Sequence, residues 1–274
     1  MSPATFRRSL LVCCDLRRYG AADDQLQRDL QDLLVRSLDR AGSAAGLDRS
    51  TWTRQPKGDE EWAVLPSDAP EHVVVDQYVR ALNAELAAAN RYRVPEARAR
   101  LRLAIHHGAI VDGANGFPGQ DSVLVSRLLN SKAAHLALDQ FPDADLVVVL
   151  SEIVYSTLIL PGHTTLRAAD FRRVEVREKT YVGHGWMWIP NADVHALDLG
   201  PAEAAEATDA GPQPADALPA EPVHPGSVNQ NAVATGGSTV VQAGRDAHVP
   251  TWQRADVIQN FHNNDQRGSH FGTS

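Results

Sequence analysis

Apolar and polar positions divide the chain, up to about residue 190, into alternating strand-like and helix-like stretches. Residues 9–15, SLLVCCD, form an unbroken apolar run closed by an acid, the pattern of a strand covered on both faces. Leu26, Leu30, Leu33, Leu34 and Leu38 recur at helical spacing within 22–41, which predicts an amphipathic helix. Residues 49–66 predict two strands around a turn at Gly58 and Asp59. A second helix is predicted over 71–90, where Val74, Tyr78, Leu82 and Leu86 stand four apart. There follow a strand at 99–111, a loop at 112–119, a helix at 121–138, a buried strand at 145–150 and a hairpin over 175–190. The order β-α-β-β-α-β-α-β predicts an α/β sandwich, a sheet with helices packed on it.

The pattern fails at about residue 198. Residues 201–225 are dominated by Ala, Pro and acids, with no Lys or Arg, and bury too little apolar area to offset the entropy of ordering. The organisation expected is a folded domain at 8–192, a disordered linker at 198–225, a Gly-, Asn-, Gln- and Val-rich motif at 226–249 and a flexible tail at 250–274.

Charge and cysteine content narrow the class. A net charge of −8 argues against a nucleic-acid partner, because phosphate neutralisation needs a basic face. Cys13 and Cys14 are adjacent on a strand and point to opposite faces, so they are read as buried apolar residues in a reducing compartment. The N-terminus lacks the long apolar region of a signal peptide, and no stretch approaches the ~20 apolar residues of a membrane span. The expectation is a soluble, cytoplasmic protein.

Candidate chemistry lies in acids at strand ends. Asp15 closes the first strand and Asp59 sits at the hairpin turn. If the two meet in space, they offer oxygen ligands to Mg²⁺ or Mn²⁺, and paired ions activate an attacking oxygen and neutralise leaving phosphate. The alternative is that Asp15 caps the following segment and Asp59 makes the turn.

Four segments in order resemble the catalytic domains of class III nucleotidyl cyclases, the adenylate and guanylate cyclase family: CCDLRRYG at 13–20, KGDEEWAVLP at 57–66, LRLAIHHGAIV at 101–111 and GQDSVLVSRLL at 119–129. The resemblance spans about 8–190. It implies the ferredoxin-like βαββαβ cyclase core, with helices on one mostly antiparallel sheet. It also implies metal ligation by Asp15 and Asp59, stabilisation of triphosphate charge by Arg127, and a nucleotide cradle at Leu16, Arg17, Tyr19 and the turn glycine Gly58. Arginine suits such a task because it stays protonated and presents several donors. In this family the site lies between two protomers, so a homodimer is implied, acting on a nucleoside triphosphate to release a 3′,5′-cyclic nucleotide and pyrophosphate. The departures are specific. Gln55 stands where the family has its purine-selecting Lys, with Lys57 two residues away. Val123 stands where the family has a ribose-orienting Asn, and it has no hydrogen bond to give. The base-selecting position maps near Gly116. Purine selectivity therefore does not follow. A rival expectation is a non-catalytic sensor or scaffold of the same fold.

Other residues have plainer readings. His106 and His107 are expected to be structural, Glu60 and Glu61 to belong to a solvated turn, Trp186 and Trp188 to share one packed face, and Asp121 to cap a helix. In the tail, STVVQAGRD resembles short amyloid-forming motifs of bacterial signalling proteins, similar to the RIP homotypic interaction motif. Val240, Val241, Gln242 and Gly244 would form an assembly core for a signalling partner.

Overall fold

The computed structural model describes residues 6–111, 113, 116–178 and 181–200. In chain order these hold β1 (Phe6–Leu16), α1 (Asp24–Ala44), β2 (Thr53–Lys57), β3 (Glu60–Val64), α2 (Glu71–Val73) and α3 (Val79–Asn90). Then come β4 (Leu101–Val111), α4 (Gln120–Leu129), α5 (Lys132–Gln140), β5 (Leu146–Ser151), α6 (Glu152–Val154), β6 (Arg172–Glu178) and β7 (Tyr181–Trp188). The strands form one mixed sheet in the order β2-β3-β1-β4-β5-β7-β6, antiparallel except between β4 and β5.

The alternation along β1 sorts the molecule into two cores. Leu10, Val12, Cys14 and Leu16 face α1 and α3, packing with Leu34, Leu38, Leu82 and Leu86. Leu11 and Cys13 face α4 and α5, packing with Val125, Leu128 and Leu138. Both faces of β1 are thus dry, as the unbroken apolar run requires. Asp23 caps α1 by accepting from Leu26 N at 2.8 Å. The helical stretch after β3 contains a π turn at Val74–Tyr78, between α2 and α3. A second, at Tyr155–Ile159, follows α6 in a segment with no counterpart in the predicted elements.

Three expectations need correction. The helix predicted over 121–138 breaks in two at Asn130 and Ser131, where the Ser131 hydroxyl accepts from Ala134 N and starts α5. The last hairpin begins at Arg172 rather than at 175. The folded part runs past 192: Val194, Leu197 and Leu199 are buried against α5's side of the sheet, and Gln140 and Asp198 exchange two hydrogen bonds. The assembly-motif residues Val240, Val241, Gln242 and Gly244 lie outside the described residues, as do the expected linker beyond 200 and the tail. Among the described residues, no helix is long and apolar enough to cross a membrane.

Candidate functional site

An open groove of 970 Å³ runs between the β2–β3 hairpin and α4. Gln55, Lys57 and Trp62 line it from the hairpin, and Val123, Ser126 and Arg127 from the helix. Of the residues singled out from the sequence, Gln55, Lys57, Gly116, Val123 and Arg127 line this cavity, whereas Leu16, Arg17, Tyr19 and Gly58 do not. Gly116, at φ +97°, closes its end, and a β-carbon there would stand 3.0 Å from the Gln55 amide nitrogen. Val123 is exposed in the groove, and Ser122, Ser126 and Asn130 supply polar side chains that sequence reasoning missed. They lie one turn apart on the helix that carries Arg127, which is the signal that would have found them.

The position of α4 is set by a contact between Asp121 and Gly108. The Asp121 carboxylate lies over Gly108 and accepts from Ala109 N at 2.5 Å; a β-carbon at 108 would stand 2.4 Å from its Cγ. His106 bridges this carboxylate (3.1 Å) and the Ser151 hydroxyl (2.9 Å). Asp121 is therefore a clamp between α4 and β4 rather than a cap. The glycine in the His-x-Gly stretch serves close approach of a helix. His107 points the other way, to Glu71 at 3.3 Å, and burial holds the pKa of His106 low against the pull of Asp121.

At the hairpin tip, Glu61 turns inward to a buried ion pair with Arg49, which also holds Asp39 and stacks over Trp52 at 5.3 Å. Glu60 accepts from the Trp62 indole and the Cys13 thiol. Neither is the solvated turn residue expected, because the β1–β3 register places Glu61 opposite Cys14 inside the sheet. Trp186 stacks on Tyr155 at 3.7 Å and Trp188 packs near Phe171 at 5.9 Å, on one face as expected.

The two acids are neighbours. Leu16 N donates to the Asp59 carbonyl at 3.0 Å, and the charge of Asp59 helps raise Asp15. Asp15, however, is held by Arg102 on the next strand. Nε donates to Oδ1 at 2.8 Å and Nη2 donates to Oδ2, while Nη1 donates to His135 Nε2 of α5. Burial lifts the Asp15 carboxyl to about 6, opposed by Arg102 and assisted by Asp59 and Glu60. A guanidinium thus stands at both oxygens that a divalent ion would use. Among the described residues, no group of three His, Cys, Asp or Glu is placed to hold a metal. As arranged, these residues do not fit Mg²⁺ or Mn²⁺.

The expected phosphate cradle is also changed. The amides of Leu16 and Arg17 are spent on the carbonyls of Asp59 and Arg100, because β1 stays paired to its end. Leu16 is buried, the Arg17 guanidinium pairs with Asp139, and the Tyr19 hydroxyl accepts from Gln31 at 2.6 Å. Gly58 makes the turn at φ 64°. None of residues 15–20 lines the groove. Sequence reasoning missed Arg98, Arg100 and Arg102, although five arginines fall within 91–102.

No protein-family model and no curated protein matches the chain. Solved structures do. The guanylyl cyclase Cya2 is 13% identical, with a TM-score of 0.46 over 72% of this chain and 99% of its own. The adenylyl cyclase CyaB from P. aeruginosa is 13% identical, with a TM-score of 0.45 over 69% and 97%. An adenylate/guanylate cyclase/hydrolase from Silicibacter pomeroyi is 17% identical, with a TM-score of 0.50 over 69% and 100%. What this chain shares with the last of these, over that protein's whole length, is a fold: that of an adenylate/guanylate cyclase domain.

Proposed function

We propose that the domain is a cyclase-fold signalling module that binds a nucleoside triphosphate and senses it without cyclising it. The observation that carries this is the convergence of Gln55, Lys57, Val123 and Arg127 on one groove. A base would sit against Gln55 and Trp62, and phosphate oxygens would take Lys57 and Arg127 as point-charge and forked donors. The Arg102–Asp15 pair favours binding without turnover, because the carboxylate that would have to receive a metal already carries a guanidinium. A homodimer belongs to this reading, since the groove and the β1–α1 turn of one protomer do not share a cavity. The C-terminal motif would pass the signal on through homotypic assembly, a role resting on its sequence alone.

The test is thermal stabilisation of the full chain by each of the four nucleoside triphosphates. At least one should raise Tm, and Arg127→Ala or Lys57→Ala should cut the effect. Equal, unchanged Tm values with all four would remove the proposal.

A second reading, an active cyclase using Mg²⁺ or Mn²⁺ at Asp15 and Asp59, is favoured by the adjacency of those two acids. It requires Arg102 to release Asp15.

A further inference from the structure

The loop that leaves α3 reads Arg91-Tyr92-Arg93-Val94-Pro95. Tyr92 is 89% exposed and Val94 62%, and the Arg91 guanidinium lies over the Tyr92 ring at 5.4 Å. Arg93 belongs both to this loop and to a cavity of 390 Å³ between α1 and α3, where Arg36 and Arg40 stand with it beside Leu33, Ala88 and Ala89. Loop and cavity are therefore one continuous surface, with exposed apolar side chains set among guanidiniums.

The acids on this surface are fewer than its arginines. Glu85 lines the cavity, 3.6 Å from Arg40, and Glu96 follows Pro95. Asp32 stands one turn before Arg36 on α1, and Asp39 is held by Arg49. Among the described residues, no ion pair engages Arg36, Arg91 or Arg93; Arg93 Nη1 donates to the Ala97 carbonyl at 3.0 Å, which leaves its charge in place. The C-terminal end of α3 accounts for arginines here, since cations complement the carbonyls gathered there. It does not account for the side chains between them. Single exposed apolar residues are ordinary, but Tyr92 and Val94 stand two apart on one loop, interleaved with Arg91 and Arg93.

We propose that this surface docks the domain on an anionic phospholipid bilayer, with Tyr92 and Val94 entering the interface and Arg36, Arg40, Arg91 and Arg93 reaching lipid phosphates. A tyrosine suits that boundary because its ring is apolar and its hydroxyl polar. Arginine stems lie along apolar surface while their heads stay in the polar layer. The overall charge of −8 does not oppose the contact, because exposed charges farther than about 8 Å from it are screened at physiological salt. A nucleic acid would take the guanidiniums and leave Val94 in water; a bilayer uses the whole surface. Since α1 and α3 pack on the face of β1 opposite α4, docking leaves the groove beside α4 open, and the inference is independent of the nucleotide reading.

The test is co-sedimentation of the full chain with vesicles of phosphatidylcholine alone and of phosphatidylcholine mixed with phosphatidylglycerol. Only the anionic vesicles should carry the protein down, and added NaCl should weaken the binding. Arg36→Gln with Arg91→Gln should weaken it by about tenfold or more, at roughly fivefold per arginine. Tyr92→Ser, which changes no charge, should weaken it by about fivefold or more, and Val94→Ser should act in the same direction. All four positions are exposed, so the variants should keep the wild-type Tm. No binding to the anionic vesicles, or binding that survives Tyr92→Ser and the double arginine variant alike, would overturn the proposal. Binding of duplex DNA that is tighter than binding to the vesicles and is lost in the arginine variant would overturn it in favour of a nucleic acid.

Discussion

Arg102 lays its guanidinium across both carboxylate oxygens of Asp15 from the neighbouring strand, at a register position directly opposite. The two are nearly buried, at 8% and 13% side-chain exposure, so each depends on the other for its charge. Removing one partner of such a pair leaves an uncompensated charge in a dry setting. Arg102→Met should therefore cost about 3 kcal/mol or more of unfolding free energy by urea denaturation. The double variant Arg102→Met, Asp15→Asn should recover most of that loss. Equal losses in the single and double variants would show that the pair is not the cause.

The pH dependence of Asp15 has a definite sign. Its folded pKa is raised from 3.8 to about 6, so the native state holds the proton more tightly than the unfolded chain. This contribution is fully present below about 3.8 and is lost as pH rises through 6. Wild type should lose stability relative to Asp15→Asn by up to about 3 kcal/mol over that window, at 1.36 kcal/mol per pKa unit. Parallel denaturation curves for the two proteins across it would contradict this.

His106 runs the opposite way. Burial lowers its pKa below 6.5 despite Asp121, so the native state favours neutral imidazole. The stability it contributes is present above 6.5 and is lost as pH falls below it. Titration of the His106 ring signals by NMR should give a midpoint under 6.5; a midpoint above that value would reverse the assignment.

Gly108→Ala should push α4 off the sheet, because the new methyl would stand 2.4 Å from Asp121 Cγ. Overpacking of this kind costs about 1–3 kcal/mol. Since α4 carries Val123 and Arg127, nucleotide-induced stabilisation should fall as well. The double variant Gly108→Ala, Asp121→Ala should be less damaged than the sum of the singles. Strict additivity would mean that the two residues do not meet.

The fold was legible where one period dominates: β1 as an apolar run, α1 from its leucines, and the hairpin from Gly58. The break at Asn130 was missed because Val125, Leu128 and Leu138 continue an apolar face through it, although Ser131 is a recognisable cap. Of the groove's lining, Gln55, Lys57, Val123 and Arg127 were singled out by the order of motifs along the chain, whereas Ser122, Ser126 and Asn130 were not. The pairing of Asp15 with Arg102 was not legible, because it depends on strand register between residues 87 positions apart. The inward turn of Glu61 was hidden because it follows from the β1–β3 register, which sets Glu61 opposite Cys14, and from its buried pair with Arg49 just before β2.

The most direct measurement is product analysis by mass spectrometry after incubating the full chain with each nucleoside triphosphate and Mn²⁺, alongside Asp15→Ala. The account predicts that no cyclic nucleotide or pyrophosphate accumulates with any of the four, while at least one binds. Cyclic product made by wild type and absent with Asp15→Ala would show that Arg102 does yield Asp15 to a metal, and would contradict it.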